Sequence, residues 1–169
     1  MKHLQQLIEK INNQVQNNGI INVLELKPLI KEYTGKDWKK QFEVKNGKRE
    51  NAVLLQNEQV KVVLIYWDGF QKSKKHGHPE GGGLMKLLTG NLIETRFDPK
   101  NTDQIIGKHH YSTENMAYIH DRVAFHTVEN PKNEPAVSLH VYSPGIFASN
   151  VIEENKDSKT IELALNKAA

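Results

Sequence analysis

The chain of 169 residues contains no cysteine, which removes disulfides, thiolate metal ligands and cysteine nucleophiles together. It also lacks a long apolar run. Residues 1–11 are amphipathic and soon interrupted by polar side chains, so they read as neither a secretory h-region nor a membrane span. A dominant charge sign is missing too: 23 Lys and Arg against 20 Asp and Glu leave a net +3, and no strong positive field argues for nucleic acid. The 6 prolines and 11 glycines are ordinary for a globular chain. These absences lead to the expectation of a soluble, cytoplasmic monomer with one domain over residues 1–169 and one substantial core. The compositional excess is histidine, with 8 residues.

The hydrophobic period changes once along the chain. Leu4, Leu7, Ile8, Ile11 and Val15 follow the three-four spacing of a helix face, ended by Asn17, Asn18 and Gly19. A second helical run passes through Val23, Leu24, Leu26, Leu29, Ile30 and Tyr33, with Asn22 as N-cap. Pro28 inside that run predicts a kink or a true start nearer Lys27. A short helix is expected near residues 38–42, completing a helical portion over 1–45.

Strand signals then take over, at residues 51–55, 60–67, 84–88, 92–97, 116–119, 123–128 and 136–142. Thr89, Gly90 and Asn91 make a hairpin-like connection, and residues 98–107 carry turn formers. No helix separates these strands, so the pattern predicts a mainly β fold, an antiparallel barrel or sandwich over residues 48–150. Residues 151–169 form a polar tail.

Two stretches carry chemistry. In KHGHPEGGGLMKLLTG, His76 and His78 stand one residue apart, so an extended backbone turns both imidazoles to one face. That is half of a metal site, and an HxH pair among so many histidines is weak by itself. A converging partner from another strand is required, and His126 in AFHTVEN is the candidate, against the plainer reading of a satisfied core histidine. His109 and His110 fall in a polar loop, and His3 at the N-terminus. The second stretch, SLHVY, aligns Ser138, His140 and Tyr142 on one face of a strand, either a solvent-facing polar stripe or the wall of a cavity.

The segments WDG(x)6HGHPEGGGLMKLLTGNLIETRFD, AYIHDRVAFHTVENP and AVSLHVYSPG resemble, in the same order, those of the cysteine dioxygenases within the cupin superfamily. The resemblance implies a cupin-type jelly-roll barrel with N-terminal helices packed on it, and an Fe(II) ion held by His76, His78 and His126. Many cupins add a carboxylate shortly after the histidine pair; Gly83 stands there, and Glu80 comes too early. Three neutral ligands would leave the ion its full charge, favouring a thiolate; imidazoles alone do not choose the metal. In the family, the residues matching Ser138, His140 and Tyr142 form a hydrogen-bonded relay to a tyrosine beside the metal, so all three are candidate catalytic residues. Some members cross-link that tyrosine to a cysteine at the position of Gly83, which this chain cannot do. The implied partners are a small thiol and O2, and the implied product is a sulfinic acid.

One position departs from the family. Its cysteine-specific members hold the substrate carboxylate with an arginine just before an asparagine, where this chain has Glu50, with Arg49 one residue earlier. A one-residue slip reverses the face a side chain occupies. If Arg49 is turned inward by a bulge, L-cysteine or 3-mercaptopropionate is the expected substrate; if Glu50 faces the pocket, an amino-thiol without a carboxylate fits better. A cupin isomerase or a metal-binding module without oxygenase activity stands as the alternative class. Leu84, Val128, Val141 and Trp67 are candidates for keeping the site dry, while Lys86, His120 and Arg122 read as surface or structural residues.

Overall fold

A computed structural model describes residues 1–16, 18–42, 44–45, 48–148 and 150–152, with side chains at all of these except 44, 45, 48 and 49. The polar tail beyond 152 and the side chain of Arg49 therefore lie outside the described residues.

Helix α1, Leu4–Val15, buries Leu4, Leu7, Ile11 and Val15, the stripe its spacing predicts. Its first turn is held from another segment: Asp37 accepts the Leu4 N–H at 2.8 Å and the Tyr33 hydroxyl at 2.7 Å. The second helical run is split. Val23–Leu26 form a 3-10 turn capped by the Asn22 side chain, and α2, Lys27–Glu32, starts where Pro28 sits in its first turn without removing a hydrogen bond. Asp37–Gln41 form a second 3-10 stretch in place of the expected short helix.

Ten strands follow among the described residues: β1 Val44–Lys45, β2 Lys48–Arg49, β3 Ala52–Gln56, β4 Lys61–Trp67, β5 Gly83–Thr89, β6 Asn91–Asp98, β7 Asn101–Ser112, β8 Met116–Ile119, β9 Phe125–Glu129 and β10 Ala136–Tyr142. Every pairing among them is antiparallel. They form a five-stranded sheet in the order β3-β4-β10-β5-β8, a three-stranded sheet β7-β6-β9 and the small β1-β2 pair. The largest departure from the sequence reading is β7, expected as turns and a polar loop. Nearly all of its 12 residues are exposed, so no apolar alternation marks it as a strand. His109 and His110 lie on it, exposed as expected.

The central strands of the five-stranded sheet, β4, β10 and β5, are buried on both faces. On its outer side Val62, Leu64, Leu88, Val137, Leu139 and Val141 join one cluster with the helices. On its inner side Val63, Ile65, Trp67, Met85 and Leu87 meet Leu92 and Val128 from the smaller sheet. Val141 therefore packs against helices and does not guard the site. All seven residues of β10 are buried, so Ser138, His140 and Tyr142 line the interior and are not a solvent stripe.

Lys86 ties the helical layer to the barrel. It is buried at 1% exposure, donates to the carbonyl oxygens of Ile30, Lys31 and Tyr33, and pairs with Glu114 at 2.8 Å. These contacts satisfy carbonyls at the end of α2. Replacing Lys86 by Met keeps most of the apolar stem and strands those carbonyls, so we expect a loss of about 2–4 kcal/mol. Urea unfolding checks this: a lower midpoint at unchanged slope is expected, and an unchanged midpoint would contradict the assignment.

Candidate metal centre

His76 and His78 lie in the extended segment before β5, and His126 on β9 comes to meet them. The backbones of His76 and His126 exchange hydrogen bonds, at 3.0 Å and 3.2 Å, so the third ligand is fixed to the first by main-chain pairing. One nitrogen from each of the three rings lies within 4.8 Å of the others. All three side chains are buried.

The other ring nitrogens decide what the cluster holds. His76 Nδ1 lies 2.8 Å from the Lys74 carbonyl oxygen and His126 Nδ1 lies 2.7 Å from Glu94 Oε1. Both partners only accept, so both Nδ1 atoms carry the proton, and in the neutral rings that bind metal both Nε2 atoms present lone pairs. Those two Nε2 atoms stand 3.1 Å apart, a contact two lone pairs cannot satisfy and a cation can. Asp121 accepts the His78 backbone N–H at 2.6 Å and lies 3.5 Å from His78 Nδ1, too far for a good hydrogen bond. Accordingly, His78 Nδ1 is the buried side-chain atom without a partner among the described residues. The donor set fits a divalent ion that takes imidazole nitrogen.

Burial, reinforced by the neighbouring His126, pushes the pKa of His78 down to about 4 and that of His76 well below the usual range. Both rings are neutral at pH 7, the state in which they bind metal. Burial works to raise Glu94, but hydrogen bonds from His126 and Tyr111 and the charge of Arg96 outweigh it and hold the carboxyl at about 2. Tyr111 donates to Glu94 at 2.7 Å and Arg96 at 3.0 Å. The carboxylate that many cupins place near position 83 is absent, as expected from Gly83; instead Glu94 stands behind His126 and Asp121 holds the backbone of His78. The sequence reading missed both. Glu94 carried a signal, since alternation on β6 puts it on the same inward face as the buried Leu92.

Beside the histidines runs the row on β10. Trp67 donates its indole N–H to Ser138 Oγ at 2.8 Å, Ser138 Oγ lies 2.7 Å from His140 Nε2, and the Tyr142 hydroxyl lies 3.0 Å from His140 Nδ1. Burial pushes His140 down to about 3 and raises the Tyr142 phenol above its ordinary value, so both are neutral at pH 7. A cavity of about 20 Å³, room for about one water, is lined by His78, His126, His140 and Tyr142 together with Gly83, Leu84 and Val128. A Cβ at Gly83 would stand 2.9 Å from the His78 ring and 3.1 Å from the Tyr142 ring, so glycine is what lets these two rings approach.

Other predicted positions lie elsewhere. Glu50 is exposed. Trp67 contributes a hydrogen bond to the row on β10 and is not part of the cavity wall. His120 lies 2.8 Å from the Glu80 carbonyl oxygen and accepts the Arg122 N–H, a loop-bracing role, and Arg122 is exposed.

A family profile described as Cysteine dioxygenase type I matches residues 1–154. The Cysteine dioxygenase type 1 of Rattus norvegicus is 36% identical over 114 residues, covering 64% of this chain and 57% of the rat protein. That of Danio rerio is 34% identical over 151 residues, covering 83% and 74%. The match to the rat protein thus spans little more than half of its length. Among solved structures, a protein with a double-stranded β-helix domain from Klebsiella pneumoniae superposes with a TM-score of 0.55 at 19% identity, covering 69% of this chain and 94% of that one. This last likeness shows the fold: the mainly β, double-stranded barrel expected from the strand pattern.

The carboxylate behind His126 makes a testable demand. Glu94→Gln keeps the shape and removes the charge that fixes the proton on His126 Nδ1. We expect metal affinity to fall about 10–100-fold, read by competition with a chelator, with Glu94→Asp intermediate. Equal affinities in the three proteins would contradict the role of Glu94.

Proposed function

Because the chain belongs to the cysteine dioxygenase type I family, we propose that it is a non-haem iron(II) thiol dioxygenase that converts a small thiol, L-cysteine in the first instance, to its sulfinic acid. The observation that carries this reading is the pair of Nε2 lone pairs facing each other at 3.1 Å beside a buried tyrosine hydroxyl. Iron, when bound, supplies the redox chemistry by which both atoms of O2 are added to the substrate sulfur. His76, His78 and His126 hold it. The enzyme acts as a cytoplasmic monomer with a thiol and O2 as its partners.

The remaining work falls to the chain's own side chains. When Ser138 donates to His140 Nε2, the His140 Nδ1–H donates to the Tyr142 oxygen, and the phenolic proton is left free to point into the site. Because burial keeps that phenol protonated, Tyr142 acts as a hydrogen-bond donor, with His140, Ser138 and Trp67 fixing its orientation. Val128 and Met85 limit the space for water beside the histidines, while the side chain of Leu84, like that of Val141, packs in the cluster with the helices. The absence of cysteine has a consequence here: no protein thiol competes with the substrate for oxidation.

Oxygen uptake by protein loaded with iron under anaerobic conditions tests the reading. Uptake is expected only when iron and a thiol are both present. Tyr142→Phe is expected to lower kcat/KM about 10–100-fold, and His126→Ala to abolish turnover. Turnover indifferent to His126 would sink the proposal, and an unchanged Tyr142→Phe would favour a cupin reaction that makes no use of the hydroxyl.

A further inference from the structure

Glu50 is exposed and the side chain of Arg49 lies outside the described residues, so among the described residues neither position supplies a cation for the substrate's charged end. The inner face of β4 offers another cation. Lys61 shares that face with Val63, Ile65 and Trp67, and the register sets it directly opposite Tyr142, which is itself opposite Gly83 on β5. Gly83, Tyr142 and Lys61 therefore form one row across three strands, spanning about 10 Å of backbone, and the His78 ring sits against its Gly83 end.

Three lysines are buried among the described residues, and they differ in how their charge is met. Lys86 has three carbonyls and Glu114. Lys75 donates to the Thr102 carbonyl at 2.7 Å, lies 4.0 Å from Asp103 and sits over the Phe97 ring. Lys61, at 4% exposure, has no hydrogen bond or ion pair among the described residues. Its recorded contact is the Phe147 ring, 6.0 Å from Nζ, and that ring packs on Tyr142 at 5.4 Å. Partial burial lowers its pKa, and its ammonium group, without a hydrogen-bonding partner among the described residues, is open to an anion. A cation in this state beside the candidate catalytic tyrosine is matched by an anion the described residues do not supply.

We propose that Lys61 recognises the substrate carboxylate, so that this chain selects carboxylate-bearing thiols from strand β4. This rests on the thiol dioxygenase reading for the identity of the ligand. The lysine acts as a point charge on a flexible stem, reaching past Phe147 towards a substrate held between Tyr142 and the histidines. The negative charge of Glu50, exposed as it is, takes no part.

Calorimetric binding to iron(II)-loaded protein without oxygen tests the proposal with two ligand pairs: L-cysteine against cysteamine, and 3-mercaptopropionate against 1-propanethiol. The wild type is expected to prefer the carboxylate-bearing member of each pair. Lys61→Met is expected to reduce that preference at least tenfold, with Lys61→Gln behaving alike and Lys61→Arg restoring most of it. Loss of affinity for all four thiols alike, no loss in either neutral variant, or a wild type without the preference would each overturn the assignment. Oxygen uptake by the wild type is recorded separately. No uptake with any thiol would overturn the dioxygenase reading, while the binding ratios still decide the role of Lys61.

Discussion

Strand β10 is buried on both faces, and the site depends on that constraint. One set of alternate residues, Val137, Leu139 and Val141, is committed to the helices, so the other set, Ser138, His140 and Tyr142, has no face left but the interior. A register slip of one residue would exchange a polar row for an aliphatic one on each side, at the cost of burying three polar side chains among helices. Packing of the N-terminal helices against β4, β5 and β10 thus fixes which groups face the histidines. Lys86 fastens the same layer by its polar contacts to α2.

Within the interior, charge is arranged at one remove from the ligands. The neutral imidazoles of His76 and His78 converge with that of His126, while Glu94 stands behind His126 and Asp121 beside His78. A carboxylate in direct contact with a divalent ion would cancel part of its charge; behind a histidine it instead fixes the tautomer and the ring direction. This preserves the ion's attraction for an anionic sulfur. It also explains how a glycine can occupy position 83, where the approach of the His78 and Tyr142 rings leaves little room for a side chain.

Much of this was legible in the chain. The HxH pair, the strand context of His126 and the i, i+2, i+4 spacing of Ser138, His140 and Tyr142 are local patterns, and local patterns survive in a sequence. The β1–β2 pair and the long strand β7 were not legible, the latter because its side chains are exposed on both faces and leave no alternation. Glu94, Asp121 and Lys61 were missed for another reason. Their importance comes from register and loop placement: Glu94 lies 32 residues from His126, Asp121 lies 43 from His78, and Lys61 meets Tyr142 only because β4 pairs with β10. Pro28 was read as marking either a kink or a helix start near Lys27, and the second alternative holds, since its ring geometry acts locally.

Three imidazoles bring one nitrogen each to a common point and could hold a cation there. Anaerobic titration of the metal-free protein with Fe(II), followed by calorimetry and by thermal unfolding, tests this directly. We expect one ion per chain, with free ion at about 100 times Kd adding about 2.7 kcal/mol of stability, and His126→Ala removing both the binding heat and the added stability. Absence of binding in the wild type, or binding of the same strength in His126→Ala, would contradict it.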